Sequence, residues 1–331
     1  MSIDTILITG AAGFLGSLLA KTLAKEGAIR LILTDVVEPS PPPGLQAKVM
    51  KADLTDDHQI RQLYETGYGI PDVIYCMHGT MSRGAEDNFD LGLKINVNSV
   101  VALLQTTRHY GAQANKLIKF VFTSSLAVYG GPLPEVVTPS TIAVPQGAYG
   151  TEKLTCELYI NEFTRRGFVD GRICRLPTIV VRSGAPAAAT SSFLSAIIRE
   201  PLNGQRAVCP IGNSMESAEL DLEVWLASPI TTVQNLILAC MIPADNLFSH
   251  TRVICLPGFT VTIREMLQSL SKIAGPRALE MIEFKDDETN RRIVSSWPAR
   301  FDCSYAIGLG FKVDSEGMDH VIAEFIQMAE G

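Results

Sequence analysis

The chain has 331 residues, 47% of them hydrophobic and 19% charged, with a formal net charge of −7. That apolar content excludes a disordered chain, and the acidic balance without a long Lys/Arg run argues against a nucleic-acid partner. At roughly 100–200 residues per domain, the length predicts two structural units or one large α/β domain with an appended lobe.

The N-terminus, MSIDTILITGAAG, runs directly into a strand-like segment without a basic leader, so no signal peptide is expected. Short apolar runs follow at Thr5–Thr9, Leu31–Thr34, Ala47–Met50, Val73–Tyr75, Phe120–Thr123 and Gly171–Arg175. Helical stretches separate them at roughly 14–26, 56–66, 88–110 and 148–166. Continuous apolar strands alternating with helices predict a parallel sheet covered on both faces, a Rossmann-type doubly wound α/β fold. EPSPPPG at 38–44 reads as an exposed loop beside the adenosine end of a nucleotide site. After Arg175, Pro and Gly become frequent and the elements shorten. The expected division is therefore a nucleotide-binding domain over 1–176, with returning segments around 205–245. A smaller C-terminal substrate lobe is expected from 177–204 and 246–331. No apolar run reaches the ~18–20 residues needed to span a bilayer. The seven cysteines are scattered without ligand spacing, which predicts reduced, mostly buried thiols in a cytoplasmic protein and no metal site.

The first strand ends in TGAAGFLG. Gly10, Gly13 and Gly16 sit between that strand and an amphipathic helix opening with Phe14 and Leu15. Glycines there permit a tight turn and let backbone N–H groups approach a pyrophosphate at a helix N-terminus. The second strand ends in Asp35, suited to hydrogen-bond ribose hydroxyls and to repel a 2′-phosphate. No Arg or Lys occupies 34–40, so NAD is expected over NADP. Asp53 fits the adenine edge; it, or Thr55, could equally cap the next helix.

The fifth strand leads into FTSSLAVYGG, with Ser124 and Ser125 at its carboxyl end, where open α/β sheets bind ligands. Tyr149 and Lys153 follow in AYGTEK, four apart and hence on one helix face. Hydride exchange at a carbinol carbon requires a proton to move on its oxygen. A free tyrosine, with pKa near ~10, is a poor base at neutral pH, and an adjacent ammonium favours its phenolate. A serine hydroxyl can fix the reacting oxygen. Asn96, in LKINVNSV, can bind a backbone group or a relaying water.

TGAAGFLG, FTSSLAVYG and YGTEK together resemble the extended short-chain dehydrogenases/reductases of the NAD-dependent epimerase/dehydratase superfamily. The stretches RRGFVDGRICRLPTIVVRSGAP, SSFLSAIIREPLNGQRAVCP and SSWPARFD resemble the D-erythronate dehydrogenase group within it. The resemblance spans nearly the whole chain and implies NAD-dependent oxidation of a secondary hydroxyl of a small sugar acid. It implies Ser125, Tyr149, Lys153 and Asn96 as the catalytic set. It implies cofactor contacts from Gly10, Gly13, Phe14, Leu15, Gly16, Asp35, Asp53, Leu54, Met77, Tyr149, Lys153 and Pro177. Substrate contacts fall to His78, Ser125, Tyr149, Thr178, Arg182, Ser191 and Ser192. Phe193 and Arg199 are further pocket candidates. Trp225 could wall the pocket or belong to the core. Arg182 and Arg199 could hold a carboxylate or form ordinary salt links.

Two departures from the group's pattern bear on substrate. Relatives carry a small residue where Cys76-Met77-His78-Gly79 places His78, which could be a hydrogen-bonded strand-end residue, a substrate contact or an extra acid/base. The loop APAAAT is Ala-rich over 185–189. Both leave open a ketoreductase or epimerase acting on a less polar or cyclic substrate. The same analogy implies a homodimer through Val97, Val100, Val101, Leu104, Leu154 and Leu158, although these residues could equally face the sheet.

Overall fold

The computed structural model describes residues 3–26, 29–45, 47–184 and 190–330. Two compact units emerge. The first comprises Met1–Val128, Gly147–Arg175 and Val233–Cys255. Its strands are β1 (Thr5–Thr9), β2 (Arg30–Asp35), β3 (Ala47–Lys51), β4 (Val73–Cys76), β5 (Lys119–Ser125) and β6 (Asp170–Leu176). With Val253–Cys255 they form a seven-stranded sheet in the order Val253–Cys255, β6, β5, β4, β1, β2, β3. β1 pairs in parallel with both β2 and β4, Thr9 standing opposite Thr34 and Cys76. Chain order therefore reverses at β1, and the crevice beyond its carboxyl end is where such sheets take ligands. Every residue of β1 and β4 is buried, as expected of strands covered on both faces.

The helices depart from the expected boundaries in two places. The second, α2 (Asp57–Gln62), is shorter than predicted and starts where the Asp56 carboxylate accepts from the His58 amide at 2.8 Å. The cap is thus Asp56, while Asp53 accepts from Thr55 N at 2.9 Å in the preceding turn. The predicted helix over 88–110 is three pieces, preceded by α3 (Ser82–Asp87): α4 (Phe89–Gly92), a π-helical segment (Leu93–Asn98) and α5 (Ser99–Gln113). The wide π turn buries both Asn96 and Val97; such insertions recur at functional sites. The next helix, α6, is Ala148–Arg165.

Val97, Val100 and Leu104 are buried in the core of the first unit, the sheet-facing alternative of their two expected roles. Leu158 remains 65% exposed.

The second unit comprises Tyr129–Gln146, Leu176–Thr232 and Leu256–Gly331. Thr178–Ile179, Glu223–Ala227 and Phe259–Thr262 form its three-stranded sheet, and Ala207–Cys209 pairs with Ile282–Phe284. The chain segment that returns to the first unit is therefore 233–255, not 205–245. The reason is pairing: Val253–Cys255 extends the large sheet beside β6, whereas 207–209 and 223–227 find partners among later strands. This unit has its own core, including Ile197, Leu226, Ile263, Leu267 and Ile322. Trp225 belongs to that side, 8% exposed and 5.1 Å from the Phe301 ring. Among the described residues no helix is long and apolar enough to cross a membrane.

Candidate active site

The turn after β1 is closed by contacts only glycine allows. A Cβ on Gly16 would lie 2.2 Å from Gly10 O, and one on Gly10 would lie 2.8 Å from the Met77 carbonyl and the His78 amide. Gly10 also holds φ +69°, a left-handed conformation that side chains disfavour. The first helix, α1 (Phe14–Leu23), then begins with no side-chain cap and no acidic residue in its first turn. Its leading N–H groups, near Phe14 and Leu15, are left to satisfy an anion. This cradle fits the pyrophosphate of a dinucleotide.

Asp35, the last residue of β2, is anchored beside it. Its carboxylate accepts from Ala12 N at 3.1 Å and Val36 N at 2.7 Å. Two backbone donors hold it in place while leaving lone pairs for ribose hydroxyls. Leu54 is buried, and Met77 N donates to the Thr9 hydroxyl at 3.1 Å.

The chemical residues converge between β5 and α6. Lys153 is 3% exposed and its Nζ donates to Thr123 O at 2.9 Å. The ammonium stands 4.7 Å from the centroid of the Phe122 ring and 5.6 Å from that of Tyr149. Tyr149 is half-buried in the first turn of α6. Ser125 is half-buried at the end of β5, its Oγ accepting from Ala127 N at 3.1 Å. That leaves the hydroxyl proton to donate. Ser124 differs: its hydroxyl is buried and donates to Glu157 Oε1 at 2.5 Å. Arg175 engages the same carboxylate through Nε at 2.9 Å and Nη2 at 2.5 Å.

Asn96 has its side-chain amide fully committed. Oδ1 accepts from Thr80 N at 2.8 Å, while Nδ2 donates to Thr80 O at 3.2 Å and to Glu152 Oε2 at 2.6 Å. Its carbonyl accepts from the Cys156 thiol at 3.0 Å. Of the two expected roles, holding a backbone group is the one the geometry displays.

Both ring nitrogens of His78 are engaged. Ser99 Oγ already donates to Ile95 O at 2.5 Å, so it accepts from His78 Nε2–H at 2.8 Å. Nδ1, 2.8 Å from the Thr9 hydroxyl, then accepts from it. Burial, and secondarily the Lys153 charge, push the imidazole down to a pKa of about 3. The ring is neutral at working pH, and neither nitrogen is left to meet a substrate. The strand-end reading of His78 is the one this geometry favours.

Pro177, Thr178, Arg182, Ser191 and Ser192 lie in the second unit. Thr178 pairs with Leu226, Ser191 precedes the helix Ser192–Leu202, and Arg182 N donates to Ser195 Oγ at 3.2 Å. Phe193 is a core residue of that unit. Arg199, offered as a carboxylate clamp, is only 5% exposed and pairs with Glu200 through Nε at 2.7 Å and Nη2 at 2.6 Å. Its remaining Nη1 donates to Arg182 O at 2.8 Å, so it is a salt link. The Ala-rich loop 185–189 lies outside the described residues.

Residues 6–219 match the NAD dependent epimerase/dehydratase family. The chain belongs to that family. It is an oxidoreductase of CH–OH groups that uses a nicotinamide cofactor. It is similar to the D-erythronate dehydrogenase of Haemophilus influenzae, 42% identical over 97% of this chain and 98% of the relative. The D-erythronate dehydrogenase of Cupriavidus necator is 39% identical over 98% of each chain. Among solved structures, a nucleoside-diphosphate-sugar epimerase from Agrobacterium tumefaciens superposes with a TM-score of 0.89 at 34% identity, covering 97% of this chain and 93% of its own. L-threonine 3-dehydrogenase from Trypanosoma brucei shares the fold, with a TM-score of 0.83 at 23% identity over 98% and 96% of the two chains.

Two groups escaped sequence reasoning: Glu152 against Asn96, and the Ser124–Glu157–Arg175 cluster. Glu157 stands four residues after Lys153 and so shares its helix face, a spacing that could have been noticed. Nothing in AYGTEK distinguishes Glu152 from a solvated charge.

Proposed function

We propose that the protein is an NAD-dependent dehydrogenase that oxidises a secondary hydroxyl of a small sugar acid, D-erythronate or a close relative, and reduces the ketone in reverse. The observation that carries this reading is the seat of Lys153, buried between β5 and α6 with its ammonium beside the Tyr149 ring. The likeness to the two D-erythronate dehydrogenases supports the choice of substrate.

In this reading Gly10, Gly13 and Gly16 hold the pyrophosphate against the start of α1. Asp35 accepts from the adenosine ribose hydroxyls and opposes a 2′-phosphate. Ser125 donates its free proton to the reacting oxygen and fixes the oxygen's position. Tyr149 takes the hydroxyl proton as the carbinol C–H bond breaks, and returns it in the reverse direction. The bound nicotinamide supplies the acceptor for the hydride. Lys153 stabilises the phenolate form of Tyr149 by its charge, and its burial keeps water from screening that charge.

The test is a panel of four- to six-carbon sugar acids and a set of cyclic ketones with NAD and NADP. Net NADH formation from D-erythronate is expected, with little turnover on NADP. The likeness to the Agrobacterium epimerase favours a second reading, an epimerase. An epimerase regenerates its cofactor, so accumulation of NADH excludes it.

A further inference from the structure

We infer that Glu152 is a positioning residue for the hydride-transfer site, acting through Asn96 on the Gly79–Thr80 turn beside Lys153. The inference rests on the dehydrogenase reading above.

Glu152 and Lys153 are neighbours on α6 and point to different elements, as consecutive helix residues do. Lys153 reaches β5. Glu152 reaches the π-helical segment, where Oε2 takes the Asn96 Nδ2 proton at 2.6 Å. The two arms meet again at Gly79. A Cβ there would lie 2.7 Å from Asn96 Oδ1 and 3.7 Å from Lys153 Nζ. The turn after β4 is thus gripped by Asn96 on one side and bordered by the ammonium on the other.

A carboxylate only accepts hydrogen bonds. By taking the Nδ2 proton at 2.6 Å, Glu152 acts with Thr80 O to decide which way the Asn96 amide faces, and so keeps Oδ1 on Thr80 N. Without an acceptor there, Nδ2 keeps only its longer bond to Thr80 O at 3.2 Å, and the hold of Oδ1 on the Thr80 amide loosens.

Stability does not explain this carboxyl. Glu152 is 2% exposed, and its Oε1 has no hydrogen-bond partner among the described residues. An orphaned buried oxygen is costly, and local rules are broken chiefly at functional sites. Space for it is provided by Gly92, where a Cβ would stand 2.5 Å from Oε1.

The test measures kcat and KM with NAD and D-erythronate, or the best substrate of the panel, together with NADH affinity. A misplacement near 1 Å can cost ~10²-fold in rate, so Glu152→Leu should lose at least about tenfold in kcat. Its KM and NADH affinity should stay within about threefold, the pattern of an interaction made only in the transition state. Glu152→Gln, which keeps an acceptor for Asn96, should recover most of the rate. Should Glu152→Leu fail to fold, Gly92→Ala carries the test, because it displaces the carboxylate from outside and should lower kcat in the same way. Full kcat in whichever of the two variants folds, or Glu152→Gln no better than Glu152→Leu, overturns the inference. If Tyr149→Phe abolishes turnover while Glu152→Leu does not, only this inference falls. If Tyr149→Phe keeps its turnover, the dehydrogenase reading falls with it.

Discussion

Gly16→Ala tests the cofactor cradle most directly. The new methyl would meet Gly10 O at 2.2 Å, Gly10 C at 2.9 Å and Ala11 Cα at 3.0 Å. All three are backbone atoms, so no side chain can swing away, and either α1 or the turn must move. Such overpacking costs about 1–3 kcal/mol. If the strain falls on the bound form, where the turn must close on the pyrophosphate, each ~1.4 kcal/mol weakens binding tenfold. NADH affinity should therefore drop about 10- to 100-fold by calorimetric titration. The thermal shift gives a second measure: NADH at 100 times the parent Kd stabilises the parent by about 2.7 kcal/mol, but a variant weakened 100-fold by only about 0.4 kcal/mol. Gly13→Ala is the internal control, since its Cβ meets one atom, Gly10 O, at 3.1 Å, and should weaken binding less. A folded Gly16→Ala protein with NADH affinity within about threefold of the parent would refute the pyrophosphate cradle.

Tyr149→Phe should cut kcat by roughly 10²–10⁴-fold, the usual worth of a general acid–base group, with NADH binding retained; near-normal turnover would end the assignment. Asp35→Ala should lose about 10- to 100-fold of the preference for NAD over NADP in kcat/KM, as expected from hydrogen bonds to a charged group. Unchanged discrimination would mean that Asp35 serves only the turn. His78 sits neutral in the fold with a pKa near 3 against 6.5 when free, so below pH 6.5 the unfolded chain binds the proton that the fold refuses. Stability should thus fall as pH drops from 6.5 towards 3, and the decline should be shallower in His78→Gln; parallel melting-temperature curves for the two proteins would contradict it. Six of the seven cysteines are buried and Cys255 is intermediate, and burial pushes Cys76, Cys156 and Cys174 up to about 12. A disulfide reagent should therefore label at most one thiol in the native protein and seven after denaturation; rapid labelling of several native thiols would argue against this packing.

Much of the first unit can be read from local pattern. Apolar runs such as TILIT and VIYC are buried strands because both faces of a parallel sheet are covered. Gly10, Gly13 and Gly16 announce a close backbone approach by their spacing alone, since nothing larger fits. Tyr149 and Lys153 share a face because the helical period puts them there. The unit boundaries were harder to read: Val253–Cys255 joins the large sheet through hydrogen bonds to a strand about 80 residues earlier, and no local pattern encodes that partner. Arg199 carried the same ambiguity. Its charge suited a substrate carboxylate, but burial beside Glu200 spends it on an ion pair.

Short-range spacing and steric limits on single residues are enough to give the strand and helix order of the first 175 residues, the glycine turn and the Tyr149–Lys153 pair. What the buried polar groups do depends instead on long-range packing. His78 is silenced by Thr9 and Ser99, Asn96 is committed to Thr80 and Glu152, and Ser124 is tied to Glu157. These partners come from different elements, and a polar side chain's role inside a fold is set by which donors and acceptors the packing brings within about 3 Å of it.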